Sequence, residues 1–134
     1  MEISITQEAY DSLLSQALKE SPKEACGYLL GLDNSLVVEN FPMTNIDKSE
    51  EHFSFDPKEQ FAALNHARKN NFRIIGNWHS HPNTPSRPSQ EDIRLAYDKN
   101  ILYFILSLKD GQYDFNAFKI IEGVVEKIKV QIIK

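Results

Sequence analysis

At 134 residues, with 41% apolar and 25% charged side chains, the chain has the size and composition of one ordinary globular domain, and extended disorder is excluded. A net charge of −4 with no run of Lys or Arg leaves nothing to neutralise a phosphate backbone, so nucleic acid is not an expected partner. A single cysteine, Cys26, allows no internal disulfide, the N-terminus has no charged-then-apolar leader pattern, and no apolar run approaches the roughly 20 residues that span a bilayer; a cytoplasmic protein without a membrane partner is expected.

Ile3-Ser4-Ile5 alternates as a short strand, and Thr6 is placed to cap a following helix. Tyr10, Leu13, Leu14, Ala17 and Leu18 fall on one helical face, which predicts core packing, and Ser21-Pro22 ends the helix. Gly27 to Leu30 and Ser35 to Glu39 read as a hairpin around Asp33-Asn34. Glu24 precedes it; taken alone, it reads as a solvated turn carboxylate. Cys26 reads as a small buried residue, the alternative being a thiol nucleophile that needs a depressed pKa and a partner base.

The segment Met43 to His52 has no period and is expected to be a loop, either a recognition element or a plain connection. Phe53-Ser54-Phe55 is read as a short strand. Asp56-Pro57-Lys58-Glu59 is a strong helix start, with Asp as N-cap and Pro at the first helical position. The helix is expected to reach about Asn70 with Phe61, Leu64 and Ala67 facing inward and His66 on its surface.

Phe72 to Trp78 is a strand-like run that leads into His79-Ser80-His81. Alternate strand residues share a face, so the two imidazoles lie on one side with Cα atoms roughly 6.6 Å apart and can converge on one ion. Ser80 faces the other way and reads as structural. Pro82, Pro85 and Pro88 stiffen the loop that follows, lowering the entropic cost of bringing Asp92 back as a third ligand. A His/His/Asp set suits zinc and leaves a fourth position for water, which is the make-up of a hydrolytic site. Ser89-Gln90-Glu91-Asp92 also reads as a helix N-cap with an acidic third residue, and the two readings are compatible. Ile101 to Leu108 is a buried strand, Asp110-Gly111 a turn, Tyr113 to Ile120 a further strand, and the alternating tail through Ile132 a last strand whose pattern is compatible with a sheet edge. No repeat or linker divides residues 1–134, so a single domain is expected.

The motif His79-x-His81, seven residues, Ser89, two residues, Asp92, together with Glu24 before the apolar strand Cys26-Gly27-Tyr28-Leu29-Leu30-Gly31, resembles the JAMM motif of the MPN/Mov34-type metalloproteases. The resemblance covers nearly the whole chain and is strongest from Glu24 to Asp92. It implies an α/β fold, a three-layer α/β/α sandwich with a central mixed sheet like that of cytidine deaminases. It further implies one zinc ion per chain held by His79, His81 and Asp92, with Glu24 as the base that handles the water's proton and Ser89 supporting the oxyanion. The implied activity is hydrolysis of a peptide or isopeptide bond at the C-terminal tail of a ubiquitin-like protein, including sulfur carriers. The alternative is a non-catalytic MPN-type module that binds such a partner. His-Glu-x-x-His is absent, as are the His-x-Glu and Cys-x-x-Cys elements of zinc deaminases.

Overall fold

The computed structural model describes residues 2–134. The chain runs through β1 (Glu2–Thr6), α1 (Gln7–Glu20), β2 (Cys26–Gly31), β3 (Leu36–Val37), β4 (Glu39–Met43), α2 (Pro57–Lys69), β5 (Arg73–His81), α3 (Gln90–Arg94), β6 (Leu102–Ser107), a 3-10 turn (Lys109–Gly111), β7 (Asp114–Ile121) and β8 (Val124–Ile133). The strands form one mixed sheet in the order β3-β1-β8-β7-β6-β5-β2-β4. β1 is parallel to β3 and β8, and β5 to β6; the remaining pairs are antiparallel. Only Val38 separates β3 from β4, yet these strands stand at opposite ends of the order. The Val38 N–H donates to the Leu30 carbonyl at 2.8 Å, so the sheet curls until its ends nearly meet.

Helices cover both faces. Ala9, Leu13 and Ala17 of α1 pack with Ile3, Leu29, Trp78, Phe104 and Leu106 on one side. On the other, Ala63 of α2 meets Cys26 and Met43, while Ile93 of α3 lies against Ile105, Phe118 and Ile120. This is the expected α/β/α arrangement, and burial of Trp78 and Phe104 alone contributes roughly 2–3 kcal/mol each. A β-carbon on Gly27 would come within 2.6 Å of Trp78 Nε1. Glycine therefore lets the buried indole donate to Asn40 Oδ1 at 2.8 Å and lock β5 to β4. Among the described residues, no helix is long and apolar enough to cross a membrane.

Several local expectations need correction. Ser35–Glu39 is not one strand: Leu36-Val37 joins β1, and the hairpin partner of β2 is Glu39–Met43. Phe53 to Phe55 makes only an isolated bridge, Phe55 to Asn45. On α2 the inward residues are Ala63 and Ala67, while Phe61 and Leu64 are exposed; on α1, Leu18 is exposed. Small residues let α2 approach the sheet closely and turn the larger side chains outward. β8 lies between β1 and β7 rather than at an edge; its alternation reflects one solvated face.

Candidate active site

The site forms where β2 and β5 run side by side. Their register pairs Cys26 with His79, and β6 adds Ile105 beside His79. Beyond the last ladder pair, the Ala25 N–H donates to Ser80 Oγ at 2.8 Å and the Ser80 N–H to the Ala25 carbonyl at 3.0 Å. That register sets Glu24 opposite His81. Ser80 is thus structural, as its strand position implies.

His79 Nε2, His81 Nε2 and Asp92 Oδ2 converge. The nitrogens are 3.1 Å apart, and the carboxylate oxygen lies 3.1 Å from His79 and 3.2 Å from His81. A tetrahedral zinc with ligands near 2.0–2.1 Å holds neighbouring donors about 3.3 Å apart, so this spacing fits such an ion. The protonation pattern fits as well. His81 Nδ1 lies 2.9 Å from the Pro85 carbonyl, which can only accept. Nδ1 therefore carries the hydrogen and Nε2 presents its lone pair to the cluster. Burial pushes the His79 pKa down against the opposing pull of Asp92, favouring the neutral imidazole that a metal needs. Phe53 stacks on the His79 ring at 4.6 Å and fixes its plane.

Asp92 is delivered by a capping box at the start of α3. Ser89 Oγ accepts from the Asp92 N–H at 3.0 Å, and the Ser89 N–H donates to Asp92 Oδ2 at 2.9 Å. Burial works to raise the Asp92 pKa, but the contacts with the His79 and His81 rings and the hydrogen bond donated by the Ser89 N–H outweigh it and hold the carboxyl well below the usual range. The cap that starts α3 therefore also sets the Asp92 carboxylate among the imidazoles. The loop between His81 and Ser89 is stapled from beneath: Ser107 Oγ donates to the Thr84 carbonyl at 2.7 Å, Ser86 Oγ donates to the Ile105 carbonyl at 2.7 Å, and Asn116 Nδ2 donates to Ser86 Oγ at 3.0 Å.

Glu24 is 3% exposed, and its Oε1 is buried without a partner. Burial, then the charges of Asp92, Glu91 and Glu51, push its pKa up to about 9. Both of its backbone groups are held by the following loop. Its N–H donates to the Ser49 carbonyl at 2.8 Å and its carbonyl accepts from Asn45 Nδ2 at 3.0 Å. Asn45 also donates to the His52 carbonyl at 3.0 Å and accepts from the Asp47 N–H at 3.1 Å, so one amide ties the segment together. Sequence reasoning missed Asn45, Ser86 and Asn116. Their hydrogen bonds reach partners distant along the chain, and no periodic pattern marks such contacts.

Cys26 is fully buried, and burial followed by nearby acidic charges pushes its thiol up to about 12. A thiol that stays protonated is no nucleophile. His66 lies on α2 against Glu39, and His52 pairs with Asp47 at 3.1 Å; among the described residues, the group able to hold a metal is His79, His81 and Asp92. His79 and Asp92 open into a cleft of about 420 Å³ whose walls include Tyr28, Phe53, Asn77, Glu91 and Tyr103.

Comparison with known proteins agrees with this architecture. Residues 6–121 match the family model described as prokaryotic homologs of the JAB domain. The chain is 26% identical over 132 residues to the CysO-cysteine peptidase of Mycobacterium tuberculosis, covering 97% of this chain and 90% of that one. It is 28% identical over 109 residues to the desampylase of Pyrococcus furiosus, covering 81% and 76%. The solution structure of a protein from Desulfitobacterium hafniense superposes with a TM-score of 0.88 at 40% identity, over 97% of this chain and 92% of that one. A JAB1/MPN domain protein from Archaeoglobus fulgidus shares the fold, with a TM-score of 0.66 at 18% identity over the full length of both chains.

Proposed function

Because the chain belongs to the family of prokaryotic JAB-domain homologs, we propose that it is a zinc-dependent peptidase or isopeptidase acting on the C-terminal tail of a ubiquitin-like protein, with sulfur carriers included in that class. The observation that carries this reading is the convergence of His79, His81 and Asp92 at 3.1–3.2 Å beside a buried, unpartnered Glu24. The peptidase and desampylase relatives support the reaction class. Residues 1–134 act as one catalytic domain.

His79 Nε2, His81 Nε2 and Asp92 Oδ2 would hold the zinc, which when bound would supply Lewis acidity for a carbonyl and for water. The chain's own groups do the rest. Glu24 takes a proton at its free carboxylate oxygen and returns it to the leaving amine. Burial raises its proton affinity, and a cation bound beside it would favour the ionised carboxylate that accepts the proton. Ser89 Oγ is already an acceptor for the Asp92 N–H, so its hydroxyl hydrogen is free to donate to the developing oxyanion. The Pro85 carbonyl and the Phe53 ring keep the two imidazoles oriented, and Asn45 keeps the Glu24 backbone in place.

The test is to incubate zinc-loaded protein with a ubiquitin-like protein bearing a C-terminal extension or an isopeptide-linked amine, and to weigh the products. Cleavage at the last tail residue is expected, abolished by chelation and restored by zinc. Cleavage that persists after the metal is stripped refutes the reading.

A further inference from the structure

One polar side chain in the cleft has unspent hydrogen-bonding capacity. Asn77 lies on β5 two residues before His79, so both side chains project from the same face with Cα atoms roughly 6.6 Å apart. Across the sheet it sits in register between Tyr28 of β2 and Tyr103 of β6, and all three line the cleft that contains His79 and Asp92. Both tyrosines are committed elsewhere. Tyr28 Oη accepts from Gln60 Nε2 at 3.1 Å. Tyr103 Oη donates to the Asp98 carbonyl at 2.9 Å and accepts from the Asp98 N–H at 3.0 Å. Asn77 Oδ1 is buried with no partner.

Asparagine is disfavoured in strands, and an unpaired buried amide oxygen carries a desolvation penalty. An apolar residue between two tyrosine rings would avoid both. A ligand that pairs with the amide would recover the loss, and an Asn side chain, offering one acceptor and two donors about a soft terminal torsion, complements a peptide group.

Resting on the tail-hydrolase reading, we propose that Asn77 is a substrate-binding residue that hydrogen-bonds a main-chain peptide group of the tail two residues from the scissile bond. The spacing comes from the strand. A tail lying extended along β5 repeats its peptide groups on the same side about every 6.6–6.8 Å, the separation between Asn77 and His79. Recognition at this point is of backbone rather than side chain, so the tail residue there can vary, while loss of its main-chain hydrogen bond is felt.

The experiment uses tail substrates in which each main-chain amide in turn is replaced by an ester, assayed with zinc-loaded wild type and with Asn77→Leu. Wild type should lose roughly tenfold in kcat/KM for the ester at the one position facing Asn77. Asn77→Leu should lose about as much on the all-amide substrate and nothing further with that ester. Its zinc content should be unchanged and its thermal midpoint equal or higher, since an apolar side chain relieves the unpaired amide; a purely structural asparagine would lower it. The proposal is overturned if the variant cleaves the all-amide substrate as wild type does, or keeps wild-type ester sensitivity at every position. If wild type itself leaves the all-amide substrate intact, the hydrolase reading fails and this one with it; cleavage without the Asn77 signature sinks only this one.

Discussion

Replacing Glu24 with Gln in the metal-free protein should stabilise the fold while removing the activity of the zinc-loaded form. The carboxyl is pushed up from an ordinary 4.5 to about 9 by burial and then by the charges of Asp92, Glu91 and Glu51. Between those values the folded chain holds a proton that the unfolded chain has released. Stability contributed by this group is therefore fully present below about pH 4.5 and falls as pH rises towards about 9. At pH 7 the separation from the unfolded value is about 2.5 units, which at 1.36 kcal/mol per unit is about 3 kcal/mol. Glutamine has no proton to take up and fills the same space. Glu24→Gln should gain about 3 kcal/mol at pH 7, several degrees in Tm for a domain of this size, and almost nothing at pH 4. Urea unfolding of chelator-treated wild type and variant at pH 4, 5.5 and 7 measures this. Parallel stability profiles for the two proteins would refute the reasoning. Zinc loading should shrink the gap, since a cation favours the ionised carboxylate, and turnover by the zinc-loaded variant should fall by roughly 10²–10⁴.

Asn45→Ala removes the amide that joins Glu24, Asp47 and His52. It should lower stability by about 1–2 kcal/mol in urea and lower kcat more than it raises KM, with zinc content unchanged. Ser89→Ala removes the cap of α3 and with it the backbone grip on Asp92. A loss of about 1 kcal/mol in stability and roughly 10–100-fold in zinc affinity, read by competition with a chromophoric chelator, is expected. Cys26→Ala should keep turnover within about twofold at a stability cost near 1 kcal/mol, and iodoacetamide should label wild-type Cys26 only in denaturant, because the thiol is buried and protonated.

The convergence of His79, His81 and Asp92 could be read from the sequence because its geometry is local. Strand periodicity puts His79 and His81 on one side, and the Ser89 cap that starts α3 also fixes Asp92. Glu24 was visible only through family resemblance, since its register opposite His81 depends on a strand pairing 55 residues away. The supports supplied by Asn45, Ser86 and Asn116 were invisible for the same reason: single polar residues anchoring remote carbonyls leave no period. The inward face of α2 was misjudged because large apolar residues dominate a helical pattern, whereas close approach to the sheet selected Ala63 and Ala67. β8 looked like an edge because a strand paired on both sides but solvated on one face shows the same alternation as a true border strand.

The placement of β8 between β1 and β7 has a consequence for biogenesis. Glu2–Thr6 pair on one side with Leu36-Val37, made soon after them, and on the other with Lys129–Ile133, so that second seam stays open until β8 has been made. A chain still emerging from the ribosome keeps that seam open, and contacts of such long sequence separation slow folding. His79, His81 and Asp92 of β5 and α3 are synthesised well before the seam closes, so the fold, and not the order of translation, decides when the candidate site matures.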